Sequence, residues 1–238
     1  MVASVAVAVE NPYFFGGKHR SDLVQEPAVV GLETRYVDIY RQPDTEATWV
    51  DALRRCSNLT HLCVRGQCRQ RLFDALTEQE SITHLHIDQA RNLELGAVST
   101  LQQLRALTIM GTVKSFAPVY RLSQLENCYL GASKSVIDFA SLGTGDWPSL
   151  RGLWLLGSGF SNPANFNGWE GLRHLPALEY LFVGTPAPGV NRNLSALSEL
   201  PNLQHVEVGS LKQWQKDGLA RLERAGVLVT DLDARPAE

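Results

Sequence analysis

The chain has 238 residues and a formal net charge of -3, with 22 Lys and Arg against 25 Asp and Glu. That balance gives no basic excess for holding nucleic acid or an anionic membrane by charge, and no apolar run approaches the ~20 residues that span a bilayer. A composition of 44% hydrophobic and 20% charged residues is that of an ordinary soluble globular protein.

The first ten residues, MVASVAVAVE, carry no Lys or Arg before a short apolar run from Val2 to Val9. Alternation of Val with Ala and Ser reads as a short strand rather than a secretion signal, which has a charged start. Asn11 to Arg20 (NPYFFGGKHR) is rich in turn residues. Its Tyr13, Phe14 and Phe15 need burial, and packing on the adjacent part of the chain is the simplest way to get it. Tyr36 to Tyr40 (YVDIY) reads as a strand, and Asp44 to Arg55 as a short helix with acids in its first turn and arginines in its last. The four cysteines (Cys56, Cys63, Cys68, Cys128) form no C-x-x-C pair. Reduced thiols and a cytoplasmic location follow most simply.

From Leu59 one phrase governs the chain. LTHLCV at Leu59 returns as ITHLHI at Ile82, LRALTI at Leu104, LENCYL at Leu125, LRGLWL at Leu150, LEYLFV at Leu178 and LQHVEV at Leu203, with spacings of 23, 22, 21, 25, 28 and 25. Positions one, four and six are apolar throughout. Two further columns precede each phrase. Three residues before it stand Cys56, Gln79, Leu101, Leu122, Trp147, Leu175 and Leu200; six before stand Leu53, Leu76, Val98, Val119, Thr144, Leu172 and Leu197. Spacing by three suits a helical turn, α or 3₁₀. Each unit is then a short strand, a turn and a helical return. Gly66, Gly111, Gly131, Gly157, Gly184 and Gly209 follow the phrase closely, where a glycine eases a sharp exit from the sheet; Asp88-Gln89 breaks that pattern in the second unit.

A period in the twenties built on L-x-x-L-x-L resembles the leucine-rich repeat family. The resemblance covers about two thirds of the chain and implies an α/β solenoid: a horseshoe with a parallel sheet on its concave face and short helical or 3₁₀ returns on its convex face. It departs from the commonest pattern in lacking the Asn or Cys column after the strand. It also implies caps at the array's ends, so residues 1–52 read as an N-terminal cap, 53–210 as seven repeats and 211–238 as a C-terminal cap, all in one domain. The C-terminal cap reads as a helix from Leu211 to Ala225 with Trp214, Leu219 and Leu222 on related faces, a stop at Gly226, a last strand from Val227 to Leu232 and a frayed tail from Ala234. Gly157 to Gly171 (GSGFSNPANFNGWEG) is a surface insertion whose Phe160, Phe166 and Trp169 are anchors folded back on the body more readily than contacts, and Thr185 to Asn193 is a second loop.

Alternate strand residues face opposite ways, so phrase positions three and five face outward. Position three is His61, His84, Ala106, Asn127, Gly152, Tyr180 and His205; position five is Cys63, His86, Thr108, Tyr129, Trp154, Phe182 and Glu207. Tyr129, Trp154, Tyr180 and Phe182 on consecutive strands, with Leu156 and Met110 at the margin, make an exposed aromatic patch, the kind of surface that soluble proteins seldom leave without use. His84, His86, His205 and Glu207 flank it. His61, Cys63, His84 and His86 form a two-by-two array of metal-ligand types, although no zinc motif supports one. Their imidazoles would charge below pH ~6.5 and make binding acid-sensitive. At position two, Arg105, Glu126, Arg151 and Glu179 alternate in sign.

No nucleophile elbow, phosphate loop or dinucleotide fingerprint is present, and an open sheet face supplies no oxyanion hole. The resemblance implies a non-catalytic module that binds another protein through its sheet face, without cofactor, nucleic acid or membrane: an inhibitor, adaptor, or antitoxin- or immunity-like factor. The alternative is a receptor for a small molecule or a metal, using the aromatic and His/Cys columns together.

Overall fold

The computed structural model describes residues 23–40, 45–132, 136–143, 145–157, 163–184, 194–209 and 213–231, without the side chains of 132, 213–216 and 231. The expectations for residues 1–22, Phe160, Thr144, the loop at 185–193, the Trp214 side chain and the C-terminal tail lie outside that range.

Ten strands form one open parallel sheet in strict chain order. They are β1 (Leu23–Val24), β2 (Tyr36–Ile39), β3 (His61–Cys68), β4 (His84–Leu93), β5 (Ala106–Val113), β6 (Asn127–Ala132), β7 (Gly152–Leu156), β8 (Tyr180–Val183), β9 (His205–Val208) and β10 (Leu228–Asp231). The phrase sets the register: His61 pairs with His84, His84 with Ala106, Ala106 with Asn127, Asn127 with Gly152, Gly152 with Tyr180 and Tyr180 with His205. The order and the helical returns are those of a leucine-rich repeat solenoid. The strand at Tyr36 and the last strand fall where the sequence puts them; the two-residue β1 has no sequence signal.

The returns differ along the chain. Between β1 and β2 the described return is a 3₁₀ turn at Pro27–Val29; the next two are α-helical, α1 (Glu46–Leu53) and α2 (Gln70–Thr77), and the five after them are 3₁₀ turns at Leu95–Thr100, Ala117–Arg121, Phe139–Ser141, Glu170–His174 and Leu194–Glu199. The period-three columns explain their closure. Leu101 N–H donates to Val98 O at 3.0 Å and Leu104 N–H to Leu101 O at 3.0 Å; Leu175 to Leu172 and Leu178 to Leu175 repeat the step at 2.9 and 3.1 Å. Such i to i+3 bonds eclipse side chains three apart, so the same residues that close the turn line up on the core. A third α-helix, α3 (Gln213–Arg224), follows the array.

Positions one, four and six are buried in all seven phrases, from Leu59, Leu62 and Val64 to Leu203, Val206 and Val208, and join the return columns in one continuous core. Burying a Leu or Val there contributes roughly 1.5–3 kcal/mol. A second ladder binds strand to strand at position two. The carbonyls of Thr60, Thr83, Arg105, Glu126, Arg151 and Glu179 each accept two N–H groups from the next unit, for instance Thr83 N–H and His84 N–H at 2.8 and 3.0 Å on Thr60.

The expected glycine exits are only partly there. Gly157, Gly184 and Gly209 do follow β7, β8 and β9, but Gly66, Gly111 and Gly131 lie inside β3, β5 and β6. Gly111, at φ +119°, is pressed against the backbone of Ala90, whose oxygen a Cβ would meet at 2.5 Å. β3 and β4 run on past irregularities in their register, which lengthens the sheet rather than ending it. The insertion carries its own structure: Ile137 bridges Phe166, the Asn167 side-chain oxygen accepts the Phe139 N–H at 2.8 Å, and Phe166 and Trp169 are buried anchors.

Candidate functional site

The outward columns run across the sheet as two unlike halves. In the first, Tyr36, His61 and His84 stand in a row at position three. The His61 and His84 rings stack at 4.2 Å and 7°, and Tyr36 tilts against His61 at 4.7 Å. Parallel pairing puts like on like, because position three of one unit lies beside position three of the next. Each imidazole is steered from its own strand: Nδ1 of His61 lies 2.9 Å from the Thr60 hydroxyl, and Nδ1 of His84 lies 2.9 Å from that of Thr83.

Position five in this half is buried. Asp38 is 3% exposed and accepts from Arg65 Nε at 3.0 Å on both oxygens, while Arg65 reaches out to solvent. His86 Nε2 lies 2.5 Å from Asp88 Oδ1. Between them Cys63 is 2% exposed. Burial raises its thiol pKa far above the ordinary range, and the Asp38 carboxylate adds to the rise. A thiol buried in this way is a weak nucleophile. Of the His61, Cys63, His84 and His86 array, the His61 and His84 rings lie beside threonine hydroxyls and His86 beside the Asp88 carboxylate; among the described residues no group of three His, Cys, Asp or Glu is placed to share a cation.

The second half is apolar. Tyr129, Trp154 and Leu156 form a cluster of their own, separate from the main core, with Met110, Tyr180 and Phe182 half-buried against it. The patch is thus where the sequence places it, but it is not exposed: Tyr129 is 3%, Trp154 6% and Leu156 3% accessible. Leu156, expected at the margin, is central.

The cause is a pairing of large with absent side chains. A Cβ on Gly152 would meet the Trp154 ring at 2.5 Å, one on Gly184 would meet Leu156 Cδ2 at 2.4 Å, and one on Gly131 would meet Met110 Cγ at 3.0 Å. Trp154, Leu156 and Met110 each lie in the space a neighbouring outward glycine leaves. Trp154 thereby reaches Tyr180, ring to ring at 5.0 Å. Tyr180 meets His205 edge-on at 5.2 Å, and His205 lies 3.0 Å from the Thr230 hydroxyl and 3.5 Å from the Glu207 carboxylate. The result is a low aromatic floor ending in a histidine–glutamate pair. The role of Gly131, Gly152 and Gly184 as this floor is what the sequence reading missed. The signal was present: glycine occupies an outward column beside each large outward residue.

Along one margin Arg105 binds Glu126 at 3.1 Å and Arg151 binds Glu179 at 2.8 Å, as the alternating signs suggest. Exposed pairs of this kind contribute ~0–1 kcal/mol each.

No helix among the described residues is long and apolar enough to cross a membrane. No family model matches the chain, and no curated protein matches it by sequence. Among solved structures it is similar to the crystal structure of internalin C2 from Listeria monocytogenes, with 20% identity over 77% of this chain and 74% of that one and a TM-score of 0.47.

Proposed function

We propose that the chain is a non-catalytic protein-binding module that docks its partner on the outward face of β6–β9. The carrying observation is the aromatic floor itself: Tyr180 and Phe182 stand half-buried beside Trp154, over a sheet whose opposite face is wholly core. Rigid aromatic groups that are already partly desolvated lose little freedom on binding and are the preferred anchors of protein interfaces. His205 and Glu207 supply directional polar contacts at the end of that floor, with His84 and His86 beyond Met110 on the other side. Four buried free thiols suit a reducing cytoplasm, and no thiol described here is set up for catalysis. A chain acting by occupancy alone is an inhibitor, an adaptor or an immunity-like factor.

The test is capture from native lysate with the wild-type chain and with a Tyr180→Ala/Phe182→Ala variant. Loss of a captured protein from the double variant, with its fold retained by circular dichroism, supports this surface. Equal capture by both moves the interface elsewhere.

A further inference from the structure

From β3 to β7, six described Lys and Arg residues stand in a strand or directly next to one: Arg65, Arg69, Arg91, Arg105, Lys114 and Arg151. Four of them are neutralised within the fold, Arg65 by Asp38, Arg105 by Glu126, Lys114 by Glu94 and Arg151 by Glu179. Arg69 and Arg91 are the exceptions. Both are exposed, and neither has an ion pair among the described residues.

The two are also neighbours. β3 and β4 run on past the repeated phrase through an irregularity in register, after which Gln67 pairs with Gln89 and Cys68 with Ala90. Arg69 follows Cys68 with extended backbone, at φ -98° and ψ 167°. Arg91 follows Ala90 and pairs with Thr112 on β5. Cys68 and Ala90 belong to the core, so alternation turns the residue after each to the outward face. Adjacent strands are ~4.8 Å apart, and like charges side by side on them are destabilising.

The strand extension that carries this pair is confined to one part of the sheet. β3, β4 and β5 hold 8, 10 and 8 residues, whereas β7, β8 and β9 hold 5, 4 and 4. β4 reaches its end through Asn92 in the left-handed region, at φ +54°. Irregularities of this kind re-aim side chains at the margins of sheets. Here they present a polar shelf, with Gln67 beside Gln89 and Arg69 beside Arg91 and Thr112. Met110, packed against the aromatic cluster, stands two residues before Thr112 on β5, so shelf and floor are continuous.

We propose that this shelf receives an acidic segment of the protein partner, whose Asp or Glu carboxylates accept hydrogen bonds from the Arg69 and Arg91 guanidinium groups. The inference rests on the docking surface above and names the chemistry of the partner beside it. A guanidinium fork matches a carboxylate in two parallel hydrogen bonds. The rest of the chain favours a short acidic run over a nucleic acid. Its net charge is -3, and Asp38, Asp88 and Glu207 lie in the outward columns. Those acids repel a long polyanion and leave room for a few carboxylates placed next to apolar anchors.

The probe is a fluorescein-labelled octaglutamate peptide, its binding to the full chain followed by anisotropy at low and at physiological salt. Arg69→Gln/Arg91→Gln weakens binding about ten-fold. Arg121→Gln/Arg173→Gln, which removes two exposed arginines of the 3₁₀ returns, leaves it unchanged. Equal affinity of the parent chain and the Arg69/Arg91 variant overturns the proposal, because the two arginines are then merely solvated. Equal loss in both variants also overturns it, as an effect of overall charge. So does tighter binding of an eight-nucleotide single strand that needs the same two arginines, which makes nucleic acid the occupant. Capture of the partner by the Arg69→Gln/Arg91→Gln chain falls several-fold; capture at the parent level overturns the assignment of the acidic segment to that partner. The Tyr180→Ala/Phe182→Ala chain separates the two readings. It keeps its affinity for the peptide if the shelf is a site of its own, and unchanged capture by it rejects the aromatic floor alone.

Discussion

The two faces of this sheet bury their residues by different rules. On the inner face one rule applies seven times: positions one, four and six of every phrase sink into a shared core, and a residue's fate follows from its place in the period. On the outward face each burial is a local bargain between neighbours, Trp154 with Gly152, Leu156 with Gly184, Met110 with Gly131. The first is repetition and tolerates variation in any one unit. The second is particular to this chain, and that particularity is what a binding surface requires.

Substitutions on each face should separate these rules. The largest effect belongs to the inner face: Leu153→Ala, in a fully buried position, lowers unfolding free energy by about 2–5 kcal/mol in denaturant titration. A loss below 1 kcal/mol would mean that the core is far less continuous than described. Next is Gly152→Ala on the outward face, whose new methyl lifts the Trp154 ring. It costs about 1–3 kcal/mol and, unlike the inner substitution, shifts Trp154 emission. If Gly152→Ala leaves that emission unchanged, the ring does not lie on the glycine.

A smaller effect, seen only at high pH, comes from Cys68, an inner-face thiol pushed from 9.0 up to about 12 by burial, with Glu46 and Asp74 adding to it. A raised thiol pKa means that the unfolded chain loses its proton first. This contribution to stability is complete below pH 9 and is lost as pH rises toward 12, at up to roughly 1.4 kcal/mol per pH unit. Thermal unfolding followed from pH 8 to 10.5 should fall more steeply in the wild type than in Cys68→Ala. Parallel curves would refute the assignment. The smallest effect is Arg105→Ala at the sheet margin. It breaks the exposed pair with Glu126 and changes stability by less than about 1 kcal/mol, less still in high salt.

The same contrast explains what was legible in the sequence. The strands, their order and register, the 3₁₀ returns and the whole inner face follow from period and spacing, because apolar residues at fixed intervals have one way to be buried together. The side-chain direction of the outward columns was equally readable. Their depth was not: alternation says that Trp154 faces out, not that Gly152 lets it lie flat. Nor did alternation show that Cys63 would be buried between Asp38 and His86. Glycine was read as a strand exit at Gly66, Gly111 and Gly131, where the backbone instead continues in the sheet. A glycine's reason for being is set by the strand beside it, and a single phrase does not contain that strand.

The most direct measurement is side-chain footprinting of the chain alone and with its captured partner, read by mass spectrometry. The account predicts that labelling at Met110, Tyr180 and Phe182 falls on binding while that at Val29 and Leu32, exposed before β2 at the other end of the sheet, stays constant. Protection at Val29 and Leu32, with the three outward residues unchanged, would contradict it.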